Sequence, residues 1–459
     1  MTSQPASLPT DQQLREAAGS RSGEVRETLE ALVRIPSLSL PGSDTEVLEQ
    51  SAHTVVGLLE NVLPWQSLEV VRAQGGAPAV IAHKPAEPGY PTVLLYAHHD
   101  VQPAGDQAQW LTPPFEPTER EGRLYGRGSA DDSAGIAVHT HALAAVAESM
   151  EGSIPLGVTV FVEGEEESGS PTFTALLEQH QELLSSDLIV VADSDNPDPT
   201  IPALTTSLRG VVGVNITLRT LESSVHSGLF GGPVPDALTT LVRLLATLHH
   251  DDGSVAIDGL SPQHSVAGGD PEAVRRESGL LPGIELWGSG GVHQRLWMEP
   301  AVTVTGIDAP APEQASNTLV ASARAKVSVR IPPGMAADRA AQALEAHLRG
   351  HCPGGVEINF DQWEKGEGFL HQTDHPLVAM VEEALRDGYG HDVVHQGLGG
   401  SIPFIAHLQQ AFPDAAIAVT GVEDRLSAAH GPNESVDLAM VQRAVVAETL
   451  LLGRLCRGV

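Results

Sequence analysis

The stretch Thr92-Val-Leu-Leu-Tyr-Ala-His-His-Asp100 is a short apolar run that stops abruptly on two imidazoles and a carboxylate. Such a run without polar alternation predicts a strand, Thr92 to Ala97, covered on both faces. The pattern recurs along the chain. Leu156 to Val162 leads into Glu163, Glu165, Glu166 and Glu167, and Leu188 to Ala192 leads into Asp193. Ala79 to His83 and Ala415 to Val419 are further strand candidates, while helical periodicity marks Asp11 to Val33 and Thr45 to Val62. Strands alternating with helices predict an α/β domain built on a mostly parallel sheet flanked by helices. Ligand sites in such sheets lie just beyond the carboxyl ends of the strands, so the acids and imidazoles are expected to gather at one edge.

A different rhythm begins near Arg209. A strand (Val211 to Arg219), a helix (Pro235 to His249), strands at Ala301 to Gly306 and Ala323 to Ile331, a helix (Ala337 to Leu348) and a strand (Val356 to Phe360) follow in turn. That order, βαββαβ, is ferredoxin-like. The alternation of Val327, Val329 and Ile331 with Ser328 and Arg330 predicts a sheet with one exposed face. The expected organisation is a first part of the larger domain over residues 1–209, an inserted domain over 210–370 and a second part over 371–459. The Gly- and Pro-rich connection from Asp251 to Trp297 carries no readable pattern.

Bulk composition narrows the function. The 459 residues suffice for two or three domains, and the formal charge of -33 would repel nucleic acid and anionic lipid. No window approaches the run of roughly 18 apolar residues that a membrane span needs, and the first twenty or so residues lack the apolar stretch of a signal peptide. The two cysteines, Cys352 and Cys456, fit a reducing compartment better than a disulfide framework, which points to the cytoplasm.

Glu163 to Glu167 places four carboxylates in five residues. On a solvated loop this is an ordinary charge run, but in a cleft beside other strand-end acids each would raise the others' pKa values unless cations were present. The run Gly126-Arg-Gly-Ser-Ala-Asp-Asp-Ser-Ala-Gly135 adds two adjacent acids before a helical pattern, which by themselves could be helix caps. Metal ions would reconcile so many acids at one edge.

Seven segments in order carry a resemblance: Ala97-His-His-Asp-Val-Gln-Pro103, Leu124-Tyr-Gly-Arg-Gly-Ser-Ala-Asp-Asp132, Glu163-Gly-Glu-Glu-Glu-Ser-Gly-Ser170, Val191-Ala-Asp-Ser194, Val225-His-Ser-Gly-Leu-Phe-Gly-Gly232, Gly399-Gly-Ser-Ile-Pro403 and Ala429-His-Gly-Pro-Asn-Glu434. Together they resemble the M20 family of metallopeptidases, above all its dipeptidase branch of carnosinase-like and peptidase V-like enzymes. The resemblance implies a zinc-peptidase-like catalytic domain and an inserted lid and dimerisation domain. It implies two divalent metals: His98 and Asp193 on one, Glu167 and His430 on the other, Asp131 bridging both. Two imidazoles and three carboxylates suit zinc, with cobalt or manganese as alternatives.

The resemblance further makes Glu166 the general base and Asp100 the acid that orients the His98 imidazole, with a cis peptide between Asp131 and Asp132. It makes His226 an oxyanion stabiliser reaching the partner subunit of a homodimer, and it makes Arg330, Asn317, Gly400 and Ser401 substrate contacts. The implied activity is hydrolysis of the amide bond of dipeptides. Deacylation of N-acyl amino acids, carboxypeptidase activity and a non-catalytic metal-binding scaffold are the competing readings. Ser133, where many relatives carry Lys, and Leu398, where carnosinase-like members carry an acid, depart from the pattern and leave substrate preference open. His139, His141, His249, His250, His371 and His391 match no motif and are expected on helix surfaces or loops.

Overall fold

The structure is a computed structural model and describes residues 8–371, 374–400 and 403–458. The chain divides into two compact units, one of Met1–Thr206, His371–Gln396 and His407–Val459, the other of Ser207–Leu370 and Gly397–Ala406.

The first unit is built on a sheet in which Ser67–Val71, Ala79–Lys84, Gly157–Glu163, Thr92–His98, Leu188–Val191, Ala416–Val419 and Ala203–Leu208 are successive neighbours. Its centre is parallel: Thr92–His98 lies between Gly157–Glu163 and Leu188–Val191, and Leu188–Val191 pairs with Ala416–Val419. Neighbours on both sides of that centre pair antiparallel. These parallel strands are mostly apolar and buried along nearly their whole length, as cover on both faces demands. Their carboxyl ends therefore share one edge, and His98, Glu163 to Glu167 and Asp193 emerge there.

Helices Asp11–Ser20, Ser22–Val33, Ser133–Ser149, Pro376–Tyr389 and Leu438–Leu455 belong to the same core. The periodic segment Asp11 to Val33 is thus two helices rather than one. A capping box on Thr10 starts the first, and Arg21, at φ -92° and ψ 4°, breaks the turn before the second. Ser133–Ser149 is buried around nearly its whole circumference, which is why its sequence shows little amphipathic contrast. No helix among the described residues is long and apolar enough to cross a membrane.

The second unit holds a four-stranded antiparallel sheet in the order Ala301–Asp308, Ser322–Ile331, Gly210–Arg219, Glu357–Gly366. With helices Ala237–Ala246 and Ala337–His351 this is the ferredoxin-like arrangement expected from the βαββαβ order. Every second residue of Ser322–Ile331 is buried, and Val327, Val329 and Ile331 meet Leu241, Leu244, Leu344 and Leu348 in a core of their own. The unreadable connection contains a short helix, Pro271–Glu277, and a helical turn at Gln294–Met298.

Packing in the first unit leaves little slack. Gly388, in the last turn of Pro376–Tyr389, would place an added Cβ 2.5 Å from the Cβ and 2.7 Å from the Cα of Ala447. Replacing a helical glycine with alanine gains up to about 1 kcal/mol, but overpacking against backbone costs about 1–3 kcal/mol, so the clash wins. Gly388→Ala should therefore destabilise the protein by about 1–2 kcal/mol. Gly57→Ala, in the last turn of Thr45–Leu59 with open space around it, should stabilise by up to about 1 kcal/mol. Urea titration followed by circular dichroism checks both, and a shift of the two midpoints in the same direction would contradict this account.

Candidate metal centre

His98, the last residue of its strand, is fully buried, and its Nδ1 lies 3.0 Å from the Asp100 carbonyl. A carbonyl only accepts, so Nδ1 carries the hydrogen and Nε2 is left facing the cleft. Nε2 lies 2.9 Å from Oδ1 of Asp131 and 3.9 Å from Oδ1 of Asp193. The other oxygen of Asp131, Oδ2, lies 2.9 Å from Nε2 of His430, which in turn is 3.2 Å from Oε2 of Glu167. Two groups result, His98 with Asp131 and Asp193, and Asp131 with Glu167 and His430, each with one donor atom per residue and all donors within 4.8 Å of one another. Asp131 belongs to both, one oxygen to each. A set of two imidazoles and three carboxylates, with one carboxylate shared, fits a pair of divalent cations.

Five residues from remote parts of the chain hold this geometry only because a second set of contacts aims them. The Asp100 carboxylate accepts the N–H groups of Glu166 (3.2 Å) and Glu167 (3.0 Å), so it fixes the turn Glu166–Ser168 as well as lying beside His98. Asp132 accepts the His98 N–H at 3.2 Å and caps the helix Ser133–Ser149 through Gly135 at 3.0 Å. The peptide bond between Asp131 and Asp132 is cis. Glu434, fully buried, accepts the N–H groups of Gly128, Ala130 and Asp131 at 3.0, 3.0 and 3.2 Å and pairs with Arg127 at 2.5 Å. Arg127 also donates to the carbonyl of Gly431, next to His430, whose backbone adopts a φ of +62°. Gln102 donates to Oε2 of Glu167 at 2.8 Å. Asp132, Glu434, Arg127 and Gln102 all stand inside quoted motifs, yet nothing in their spacing distinguishes them from the ligands.

Electrostatics in the cluster are those of a site short of positive charge. Burial opposes a charge on His98, but Asp100, Asp131 and Asp193 outweigh it and hold the imidazole well above its usual value. Hydrogen bonds to Asp131 and Glu167 push His430 up to about 11. Burial disfavours ionised Asp131 too, yet His430 and His98 keep it below the usual carboxylate range. Burial, then the charges of Asp131 and Glu167, push Asp193 up to about 7 against the pull of His98. Burial and the Asp193 charge raise Glu166 well above the ordinary range. Protons on these groups supply the neutralisation that metal cations would otherwise provide.

The sequence pattern of Peptidase family M20/M25/M40 matches residues 94–453. The chain belongs to this family. It is 34% identical over 412 residues to the cysteinylglycine-S-conjugate dipeptidase of Corynebacterium striatum, across 88% of this chain and 89% of that one. Its fold is that of the di-peptidase Dug1p of Saccharomyces cerevisiae (TM-score 0.76, 20% identity, 98% and 99% of the two chains). The fold is likewise that of the M20 family metallo-carboxypeptidase Sso-CP2 of Sulfolobus solfataricus (TM-score 0.80, 20% identity, 95% and 99%).

Four of the expected M20 site residues lie in the second unit. His226 is exposed at the end of the two-residue strand Val225–His226, where its Nδ1 accepts the Gly228 N–H at 3.0 Å. The next residue, Ser227, donates its N–H to the carbonyl of exposed Asn317 at 2.9 Å. Arg330 is half-buried on Ser322–Ile331; burial and then its charge bring Arg209 down to about 10. Gly400 is exposed with open space where a Cβ would stand. Ser401 lies outside the described residues.

The unassigned histidines divide. His249 is half-buried, and His250 and His391 are exposed. His139 and His141 are buried, contrary to the expectation of a helix-surface position, because helix periodicity cannot reveal burial when a helix is enclosed on all sides, whereas His371 does lie in a loop, though a buried one. His139 donates Nε2 to the Tyr96 carbonyl at 2.9 Å and Nδ1 to both oxygens of Glu448 at 2.9 Å. Both partners only accept, so the ring carries two hydrogens and a positive charge; burial opposes that charge, and Glu448 outweighs it, raising the pKa above 6.5. A folded-state value above the unfolded one means the stabilisation is complete below about pH 6.5 and fades as pH rises through the folded value. Unfolding free energy measured from pH 6 to 9 should therefore lose a component that Glu448→Gln abolishes; an unchanged slope in that variant would contradict the charged pair.

Proposed function

We propose that this protein is a dinuclear metallopeptidase that hydrolyses the amide bond of dipeptides. The observation that carries the proposal is Asp131, whose two oxygens each lie 2.9 Å from an imidazole of a different three-residue group. His98 and Asp193 would hold one cation, Glu167 and His430 the other, and Asp131 both. The mixed nitrogen and oxygen donors suit zinc, and cobalt or manganese would fit the same set. When bound, two such cations acidify a water and polarise the scissile carbonyl.

Glu166 is the general base in this reading: it takes the proton and returns it to the leaving amine. Its raised proton affinity suits that exchange, and the hydrogen bond from its own N–H to Asp100 fixes its place in the turn. Glu167, two hydrogen bonds away from freedom through Gln102 and His430, is held for ligation. His226 stabilises the oxyanion across a homodimer interface formed by the inserted domain, 210–370, which also serves as lid; its exposed position supports a role toward a second subunit. Arg330, Asn317, Gly400 and Ser401 are assigned to the substrate carboxylate and flanking contacts. Two unpaired thiols, Cys352 and Cys456, support a reducing, cytoplasmic setting.

The decisive experiment incubates the purified, metal-supplemented protein with a dipeptide panel and an N-acetyl amino acid panel; release of free amino acids from the dipeptides alone is expected, and deacylation alone would replace this reading. Glu166→Ala should keep its metal by elemental analysis while turnover falls about 10²- to 10⁴-fold, and appreciable remaining activity would remove it as the base. Removal of metal by a chelator should abolish activity, and re-binding should be tighter as pH rises, because the His98 and His430 imidazoles must each lose a proton to bind a cation. Calorimetric metal titration at pH 6 and pH 8 reads the sign directly. His226→Ala should lower turnover without changing metal content, and an unchanged rate would end the proposed oxyanion role.

A further inference from the structure

Glu423 is an acid at the same edge that the proposed metal set leaves without a task. It follows the strand Ala416–Val419, which runs parallel to Leu188–Val191, so it stands beside the segment that carries Asp193. The Glu423 N–H donates to the Ser194 carbonyl at 3.3 Å, and its carbonyl accepts from Asn196 N–H at 2.8 Å. Gly421 packs so closely that an added Cβ would fall 1.8 Å from the Ser194 oxygen. On the other side Asp424 is gripped by Arg123 at 2.7 and 3.3 Å. The backbone is clamped on both flanks, which fixes the point from which the half-buried side chain starts.

Among the described residues its side chain makes no hydrogen bond or ion pair, and its strongest electrostatic neighbours include Asp131, Asp193, Glu434 and Asp195. Arg425, two residues on, is exposed and acts on Asp195. Glu423 belongs to neither of the two donor groups, so a pair of cations there would not bind it directly. What remains is an acid among other acids, whose ionised form a further positive charge would favour.

A dipeptide brings one. With the scissile carbonyl at the metal pair, the substrate's α-nitrogen is two bonds away, about 2.5 Å from the carbonyl carbon. We propose that Glu423 is a specificity-determining residue that receives the free α-ammonium of the substrate, so that the centre selects dipeptides over N-acyl amino acids. This inference rests on the proposed amide hydrolysis at the same centre. An N-acyl substrate presents a neutral group there and leaves the carboxylate unpaired, which is the kind of mismatch that produces strong discrimination.

Ala-Gly and propionylglycine differ only in that amine. Turnover of either by the metal-loaded wild-type protein tests the hydrolase reading itself. The role of Glu423 is tested separately by calorimetric titration of the metal-loaded Glu166→Gln protein, with and without Glu423→Gln, using both compounds. Glu423→Gln should weaken Ala-Gly binding about 10- to 100-fold and change propionylglycine less than about 3-fold, with metal stoichiometry unchanged. Where the wild-type protein turns over, the ratio of kcat/KM for the two substrates should fall by the same factor. Equal losses for both compounds, no loss for either, or a loss of bound metal would each overturn the proposal; Glu423→Ala, which removes the carboxylate without adding an amide, must give the same ranking.

Discussion

Mutual repulsion among carboxylates at the carboxyl edge of the parallel strands is the constraint around which the first unit is organised. Asp131, Asp193, Glu166, Glu167 and Glu423 converge where four strands end. Two like charges 4 Å apart repel by about 4 kcal/mol at an effective dielectric of 20, and a whole domain is stable by only about 5–15 kcal/mol. The cluster cannot be ionised without cations. Protonated imidazoles and raised carboxyl pKa values meet that need in the protein alone, and a pair of metals would meet it more completely.

The same side-chain type performs different tasks according to what surrounds it. Glu434 is saturated by three backbone N–H groups and Arg127, so it holds the segment Gly128 to Asp131 and has no capacity left for chemistry. Glu165 is likewise occupied by the N–H groups of Ala77 and Thr172. Asp100 spends both oxygens on the turn that carries Glu166 and Glu167. Only acids without such backbone partners retain lone pairs for a metal, a proton or an ammonium. Beneath them, the Glu448–His139 pair ties the helices Leu438–Leu455 and Ser133–Ser149 to the Tyr96 carbonyl, two residues before His98. A rigid floor of this kind allows a site to be set to within a fraction of an ångström.

Sequence alone determined the α/β class, the inserted βαββαβ order and the chemistry at the strand ends. Short continuous apolar runs alternating with helical patterns fit strands covered on both faces, and residues immediately after such strands emerge at an edge. The motif order around His98, Asp131, Glu167, Asp193 and His430 carried the family resemblance. These signals are local, so they survive in one dimension. Tertiary structure alone decided that the parallel centre of the sheet is flanked by antiparallel pairs on both sides, since pairing direction depends on how the chain returns and not on the strand's composition. It also decided which acids are spent and which are free: Glu434 and Glu423 look alike in sequence, and only the through-space partners of each, hundreds of residues away for Glu434 and across a neighbouring strand for Glu423, separate a brace from a candidate binding group.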